Sequence, residues 1–188
     1  MTYYGPKEIA ASFRNVRKNT LTVAADIPGD KYGFEPAPGA RTVAQTLIHI
    51  ANIPRFQFAL HRDSKLKSLA GFDFQSFIGP IQADEQKARS KDEIIQRLRD
   101  GGEEFASWVA SLSDDFLGEV VTMPPGGQPP SRTRFDMIIS VKEHEMHHRG
   151  QLMLVERMLG IVPHLTRDMQ ARMAQMQAAA SQGQAGKS

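Results

Sequence analysis

The chain has 188 residues, no cysteine, 40% hydrophobic and 23% charged residues, and a formal net charge of +2. That length suits a single domain with a real core, and the missing cysteine excludes disulfides, thiolate metal ligands and a cysteine nucleophile. Its basic residues lie scattered among acidic ones, which is no nucleic-acid signature; Met1–Glu8 lacks the pattern of a signal peptide, and apolar runs such as Met137-Ile138-Ile139 are too short to cross a bilayer.

The first predicted helix runs from about Pro6 to Ala25, with Ile9, Phe13, Val16, Thr20, Val23 and Ile27 on one face at the 3.6-residue period. Pro28-Gly29-Asp30 stops it, and the breaker-rich connection through Gly33, Pro36, Pro38 and Gly39 is not helical. The second opens at Thr42, where Gln45 completes a capping box, and continues to about Arg62. His49 lies on its core stripe with Gln45, Ile53, Phe56 and Leu60, and Pro54 predicts a kink or a less regular helix beyond it. Residues 63–89 read as a long connection that packs back on the body, with room for a helical turn or two.

The third helix starts at the Ser90-Lys91-Asp92-Glu93 capping box and buries Ile94, Leu98, Gly102, Phe105, Val109 and Leu112. Gly101-Gly102 inside it predicts a close helix contact or a bend, since each Gly costs about 1 kcal/mol relative to Ala. A Pro/Gly loop follows, from Met123 to Pro130. The fourth helix begins near Thr133 and ends at Gly160, with Met137, Val141, His148, Leu152, Val155 and Leu159 on one line. A short helix over Asp168–Ala180 and a disordered tail over 181–188 complete the reading. Four amphipathic helices and no period-two segment predict an all-α protein, a four-helix bundle with up-and-down topology and long connections. Its single bundle domain covers residues 1–165, followed by the short helix and tail over 166–188.

The chemistry concentrates in Glu143-His144-Glu145-Met146-His147-His148-Arg149-Gly150-Gln151, which holds three of the six histidines. Four helical residues turn through about 400°, so His144 and His148 stack on one face while His147 points about 100° away. With His49 on the facing stripe, they would converge as an open three-nitrogen metal site. Taken alone, His49 reads as a core histidine bonded to a carbonyl; the three histidines together favour the metal. His144-Glu145-x-x-His148 also spells the HExxH pattern of zinc proteases. That reading lacks the sheet such proteases use, and Gln151 and Leu154 stand where the extended motif needs Gly and His. Glu145 is then a solvated or interhelical carboxylate. Arg149, Gly150 and Gln151 have packing and bonding roles to neighbouring helices. His61 and His164 read as surface residues, and Trp108, Phe56, Phe72 and Phe74 as apolar packing, with a pocket lining as the alternative.

Leu47-Ile48-His49-Ile50-Ala51, preceded by Pro36-x-Pro38-Gly39-x-Arg41-Thr42, resembles the DinB/YfiT-like family, as does His144-x-x-x-His148-Arg149-Gly150-Gln151. The resemblance spans roughly Ile9 to Leu159. It implies a four-helix bundle with a divalent metal on His49, His144 and His148, zinc or nickel foremost, with iron or manganese as alternatives. It further implies an enzyme acting on a small molecule, either a hydrolase or a transferase using a thiol such as bacillithiol, mycothiol or glutathione. The cytoplasmic location expected here rests instead on the missing signal-peptide and membrane-span patterns. With no cysteine in the chain, that thiol is a cosubstrate. A homodimer is compatible with the pattern; a nucleic-acid or membrane partner is not expected. The alternative is a bundle that binds metal or ligand without turnover.

Overall fold

A computed structural model describes residues 4–185. The elements are α1 (Pro6–Asp26), α2 (Val43–Gln57), α3 (Phe74–Glu85), α4 (Lys91–Ala110), α5 (Asp114–Gly118), β1 (Val120–Thr122), β2 (Ser131–Thr133), α6 (Arg134–Met158) and α7 (His164–Ala185). Local chemistry explains the helix starts. Pro6 occupies the first turn of α1. At α2 the Thr42 hydroxyl accepts from the Gln45 amide, while Gln45 Oε1 accepts from the Thr42 amide. Ser90 and Glu93 do the same for α4, and the Thr133 hydroxyl accepts from the Asp136 amide at α6. Gly160, at φ +79°, ends α6 in a conformation that an L side chain rarely adopts.

The four bundle helices are α1, α2, α4 and α6. Both α1 and α2 pack against α4 and α6, which places α1 and α2 on one diagonal. Phe13 meets Phe105, and Lys91 reaches the carbonyls of Ala25 and Ile27, so α1 and α4 are antiparallel. Arg97 bonds Asn52 while Trp108 packs on Phe58, so α4 runs parallel to α2. Tyr4 packs on Phe135 and Arg17 pairs with Glu145, so α1 and α6 are parallel. The order is therefore up-down-down-up, and the expected up-and-down topology is corrected. Parallel neighbours require a connection that returns along the whole bundle, and residues 58–90 supply it.

That connection contains α3, a 12-residue helix, longer than the helical turn or two expected there. The Asp73 carboxylate caps it by accepting from the Ser76 amide, and Pro80 inside it forfeits only one hydrogen bond. After Pro54, α2 passes into a π-helical turn over Phe58–Asp63, the irregularity expected from that proline. Two strands also correct the expectation of none. Val120–Thr122 and Ser131–Thr133 pair antiparallel across the Pro/Gly loop, at three residues each too short to show alternation in sequence. The last helix is longer than predicted, running from His164 to Ala185. Residues 181–185, expected to be disordered, are its last helical residues, and the rest of that expected tail, 186–188, lies outside the described residues. No described helix is long and apolar enough to cross a membrane.

Two apolar clusters fill the bundle. One joins Val23, Ile27, Leu47, Ile50, Leu98 and Leu152; the other joins Phe13, Phe58, Phe105, Val109, Ile138 and Val141. Between them lies a polar layer. The Arg17 guanidinium donates to both Glu145 oxygens, at 2.8 and 2.9 Å, and also to the Leu98 carbonyl. Both side chains are at least 96% buried. Gly102 makes room for this arginine, because a Cβ there would sit 2.8 Å from Arg17 Cγ. The Gly102 expectation of a close contact therefore holds, whereas a Cβ on Gly150 would meet nothing within 4 Å.

His61 and His164 are 1% and 6% exposed, which corrects their reading as surface residues. Fully buried Arg134, at the start of α6, donates to His61 Nδ1 at 2.7 Å. Asn19 Oδ1 lies 3.3 Å from His164 Nε2. These partners come from distant parts of the chain, so each imidazole is drawn inward by a group its local sequence does not show.

Glu145→Ala is expected to destabilise the fold by about 3–5 kcal/mol in urea unfolding, because Arg17 would be left buried and unpaired. Arg17→Met combined with Glu145→Leu should recover most of that loss. A single-mutant loss under about 1 kcal/mol would remove the ion pair from its structural role. Burial, helped by the Arg134 charge, pushes the His61 pKa down to about 4, below its unfolded value of about 6.5. Between those values the unfolded chain binds the extra proton, so stability is full above pH 6.5 and declines toward pH 4. His61→Gln should make the decline in metal-free protein shallower by up to about one proton equivalent; an unchanged slope would contradict this.

Candidate metal centre

On α6, Glu145 and Arg149 face α1, since Glu145 binds Arg17 and Arg149 donates to the Val16 carbonyl. The residues about 100° round the helix, His144 and His148, consequently face α2. There they meet His49, and one candidate ligand atom from each of the three lies within 4.8 Å of the others. Ring centroids are 5.0 Å apart for His49 and His144, 4.7 Å for His49 and His148, and 4.5 Å for His144 and His148. The three residues singled out in the sequence are therefore brought together. His147 is exposed, and its Nε2 lies 3.1 Å from Gln151 Nε2.

Hydrogen bonds orient two of the rings. His49 Nδ1 lies 2.7 Å from Glu85 Oε1, so its proton belongs on Nδ1 and its lone pair on Nε2. Arg41 Nε donates to the other oxygen of the same carboxylate at 2.9 Å. His148 Nδ1 lies 2.8 Å from Gln151 Oε1, which frees its Nε2 in the same way. His144 Nδ1 is buried without a hydrogen-bond partner. Burial, then the neighbouring His148 and His49, pushes the His144 pKa down to about 4; burial also lowers that of His148. Both imidazoles are neutral at pH 7, the form that ligates a cation.

The spacing fits a metal. His49 Nε2 and His144 Nε2 are 3.4 Å apart, long for a hydrogen bond. Two nitrogens each about 2.0–2.1 Å from a tetrahedral cation are separated by about 3.3–3.4 Å. Glu145 is unsuited to the general-base role that the HExxH pattern assigns, since both its oxygens are bound to Arg17 on the far side of the helix.

Glu85 and Gln151 complete the cluster. Glu85 lay within the segment read as a long connection, to which no functional residue was assigned. Its sequence signal is the helical stripe Phe74, Phe77, Ile78, Ile81, which runs on to Glu85 at the next turn. The preceding Asp84 is bound by Asn52 of α2 and by Arg89 and Arg97, which pins this end of α3 against the bundle. Gln151 bonds within α6, to His148 and His147, instead of the neighbouring helix or loop expected of it, whereas Arg149 makes the expected interhelical bond, to Val16 of α1.

Two cavities border the cluster. A groove of about 1020 Å³ reaches His148 and carries the amides Gln45, Gln82, Gln86 and Gln151. A smaller cavity of about 430 Å³ reaches His49 and His144 and is mostly apolar. Arg41, Gln82 and Glu85 border both. Phe56 and Phe74 line the smaller cavity, whereas Trp108 packs against Phe58 and Phe105 as expected.

Because Glu85 holds the His49 proton, Glu85→Gln is expected to weaken zinc binding about 10- to 100-fold in a competition titration, while His147→Ala leaves it unchanged. Equal affinity in wild type and Glu85→Gln would exclude this contribution.

Residues 12–152 match the family model described as the DinB superfamily. A search of curated proteins finds no match. Among solved structures, the fold is similar to that of YfiT from Bacillus subtilis, described as a probable metal-dependent hydrolase with an unusual four-helix bundle topology. That pair has a TM-score of 0.64 and 14% identity, covering 86% of this chain and 91% of that one. A DinB-like protein from Bacillus cereus gives 0.61 and 16%, with 86% and 97% covered. An uncharacterised protein from Clostridium difficile gives 0.63 and 13%, with 84% and 98% covered. The family match over residues 12–152 and the shared bundle lead to one conclusion: this chain belongs to the DinB superfamily.

Proposed function

We propose that the protein is a divalent-metal-dependent enzyme acting on a small molecule, as a hydrolase or as a transferase that uses a low-molecular-weight thiol. His49, His144 and His148 hold the ion in this reading. The observation that carries it is the 3.4 Å approach of two Nε2 atoms, one of them with its proton committed elsewhere by Glu85. The name given to the Bacillus subtilis neighbour supports the same direction.

A cation on three neutral imidazoles keeps its full charge, and when bound it acidifies a water or thiol and polarises an electrophile. The chain's own residues prepare for this. Glu85 and Gln151 hold the protons on His49 Nδ1 and His148 Nδ1, which keeps both Nε2 atoms directed inward. Arg41 uses only Nε in its bond to Glu85, leaving the rest of its guanidinium to meet negative charge beside the histidines. Zinc and nickel both suit imidazole ligands. The competing reading is a bundle that binds metal without turnover.

Metal analysis of protein purified without a metal-binding tag is the first test. Near-stoichiometric metal in wild type and its loss in His49→Ala, His144→Ala and His148→Ala are expected; retention by His49→Ala would overturn the three-ligand site. Thiol conjugation assayed against ester and amide hydrolysis, with and without metal, then separates the two reactions. Inactivity of the metal-loaded protein in every assay would favour the non-catalytic reading.

A further inference from the structure

Arg41 stands between the two cavities and is not used up by the contact it makes. It borders the groove on the His148 side and the smaller cavity on the side of His49 and His144. Only its Nε, one of the five N–H donors of a guanidinium, has a partner, the Glu85 carboxylate. The side chain is 42% exposed, which leaves its outer edge accessible. Its positive charge acts on both His144 and His148.

The groove is selective in charge. Among the described residues that line it, the ionisable ones are Arg41, Glu85 and His148. Glu85 is buried, with one oxygen on Arg41 and the other on His49. His148 belongs to the histidine cluster, and its Nδ1 is bonded to Gln151. Arg41 is therefore the accessible charge that the groove presents, beside the amides of Gln82 and Gln86. The smaller cavity's other arginine, Arg132, does not line the groove and is bound to Asp136.

A planar guanidinium edge matches a carboxylate through two parallel N–H bonds. One arginine whose charge Glu85 partly offsets suits a single negative charge; a phosphate dianion would call for more cations. A divalent ion on three neutral imidazoles would add positive charge that Glu85, already spent on Arg41, does not cancel. We infer that the groove binds a small carboxylate, whose charged end pairs with the free edge of Arg41 while its reactive end lies at the histidines. This assignment rests on the histidine cluster being the reactive centre. The carboxylate belongs either to a thiol cosubstrate or to a molecule that is hydrolysed, and the experiment separates the two.

The test titrates metal-free and cobalt-loaded protein by calorimetry with 3-mercaptopropionate and 6-mercaptohexanoate, their primary amides, and the thiol-free acids propionate and hexanoate. In both forms the better-fitting mercapto acid is expected to bind about tenfold more tightly than its amide. Arg41→Gln should abolish that preference, Arg41→Lys should keep part of it, and Arg132→Gln should leave it intact. A loss of structure would weaken acid and amide alike, so their ratio reports the contact itself. A sulfur-to-cobalt absorption band with a mercapto acid assigns the carboxylate to a thiol cosubstrate. Equal affinity for mercapto and thiol-free acids, without that band, assigns it to a hydrolysed molecule. Equal affinity for acid and amide in metal-free wild type, or a preference there that survives Arg41→Gln, would overturn the proposal. The metal-free titration needs neither turnover nor metal. Failure to load cobalt would therefore count against the three-histidine site, and the acid-to-amide ratio would still decide the role of Arg41.

Discussion

The Arg17–Glu145 pair is the constraint on which the arrangement of this bundle depends. Two charges at least 96% removed from water are tolerable only with close geometry and full hydrogen bonding. The structure supplies both. The guanidinium grips both carboxylate oxygens and the Leu98 carbonyl, and Gly102 opens space on α4 for the arginine stem. One polar layer thereby ties α1, α4 and α6 together between two apolar clusters. It also sets the rotation of α6 about its own axis. With Glu145 committed to α1, His144 and His148 can only face α2.

The histidine cluster inherits its order from that rotation and from α3. Parallel packing of α2 and α4 demands a chain return along the bundle, and the helix within that return brings Glu85 to His49. A topological requirement is thus used to orient a ring nitrogen. The same helix contributes Phe74, Phe77 and Ile81 to the wall of the cavity beside the cluster. The polar groove on the His148 side and the apolar cavity on the other give the site two faces of different chemistry, with Arg41 bordering each.

Much of this was legible residue by residue. The capping boxes at Thr42 and Ser90 marked helix starts because reciprocal side-chain and backbone bonds are local events. The stripe containing His49 and the four-residue spacing of His144 and His148 were legible for the same reason. α3 was obscured because Gly71, Gly79 and Pro80 break the expected pattern, yet only Pro80 costs the helix a hydrogen bond. The strands were hidden by their three-residue length. His61 and His164 were misread because the partners that make their burial tolerable, Arg134 and Asn19, lie 73 and 145 residues away.

Local patterns in the chain are enough to specify the bundle helices, their buried faces and the three histidines that would meet if those faces met. These follow from helical periodicity and end chemistry, which act within about one turn of chain. The tertiary structure decided the up-down-down-up order, the choice of Glu145 as an interhelical ion partner rather than a solvated carboxylate, and the arrival of Glu85 at His49. Each of those depends on which helices become neighbours. That choice is made by packing and charge pairing between residues far apart in the chain, such as Arg17 and Glu145, 128 positions apart, beyond the reach of any local pattern.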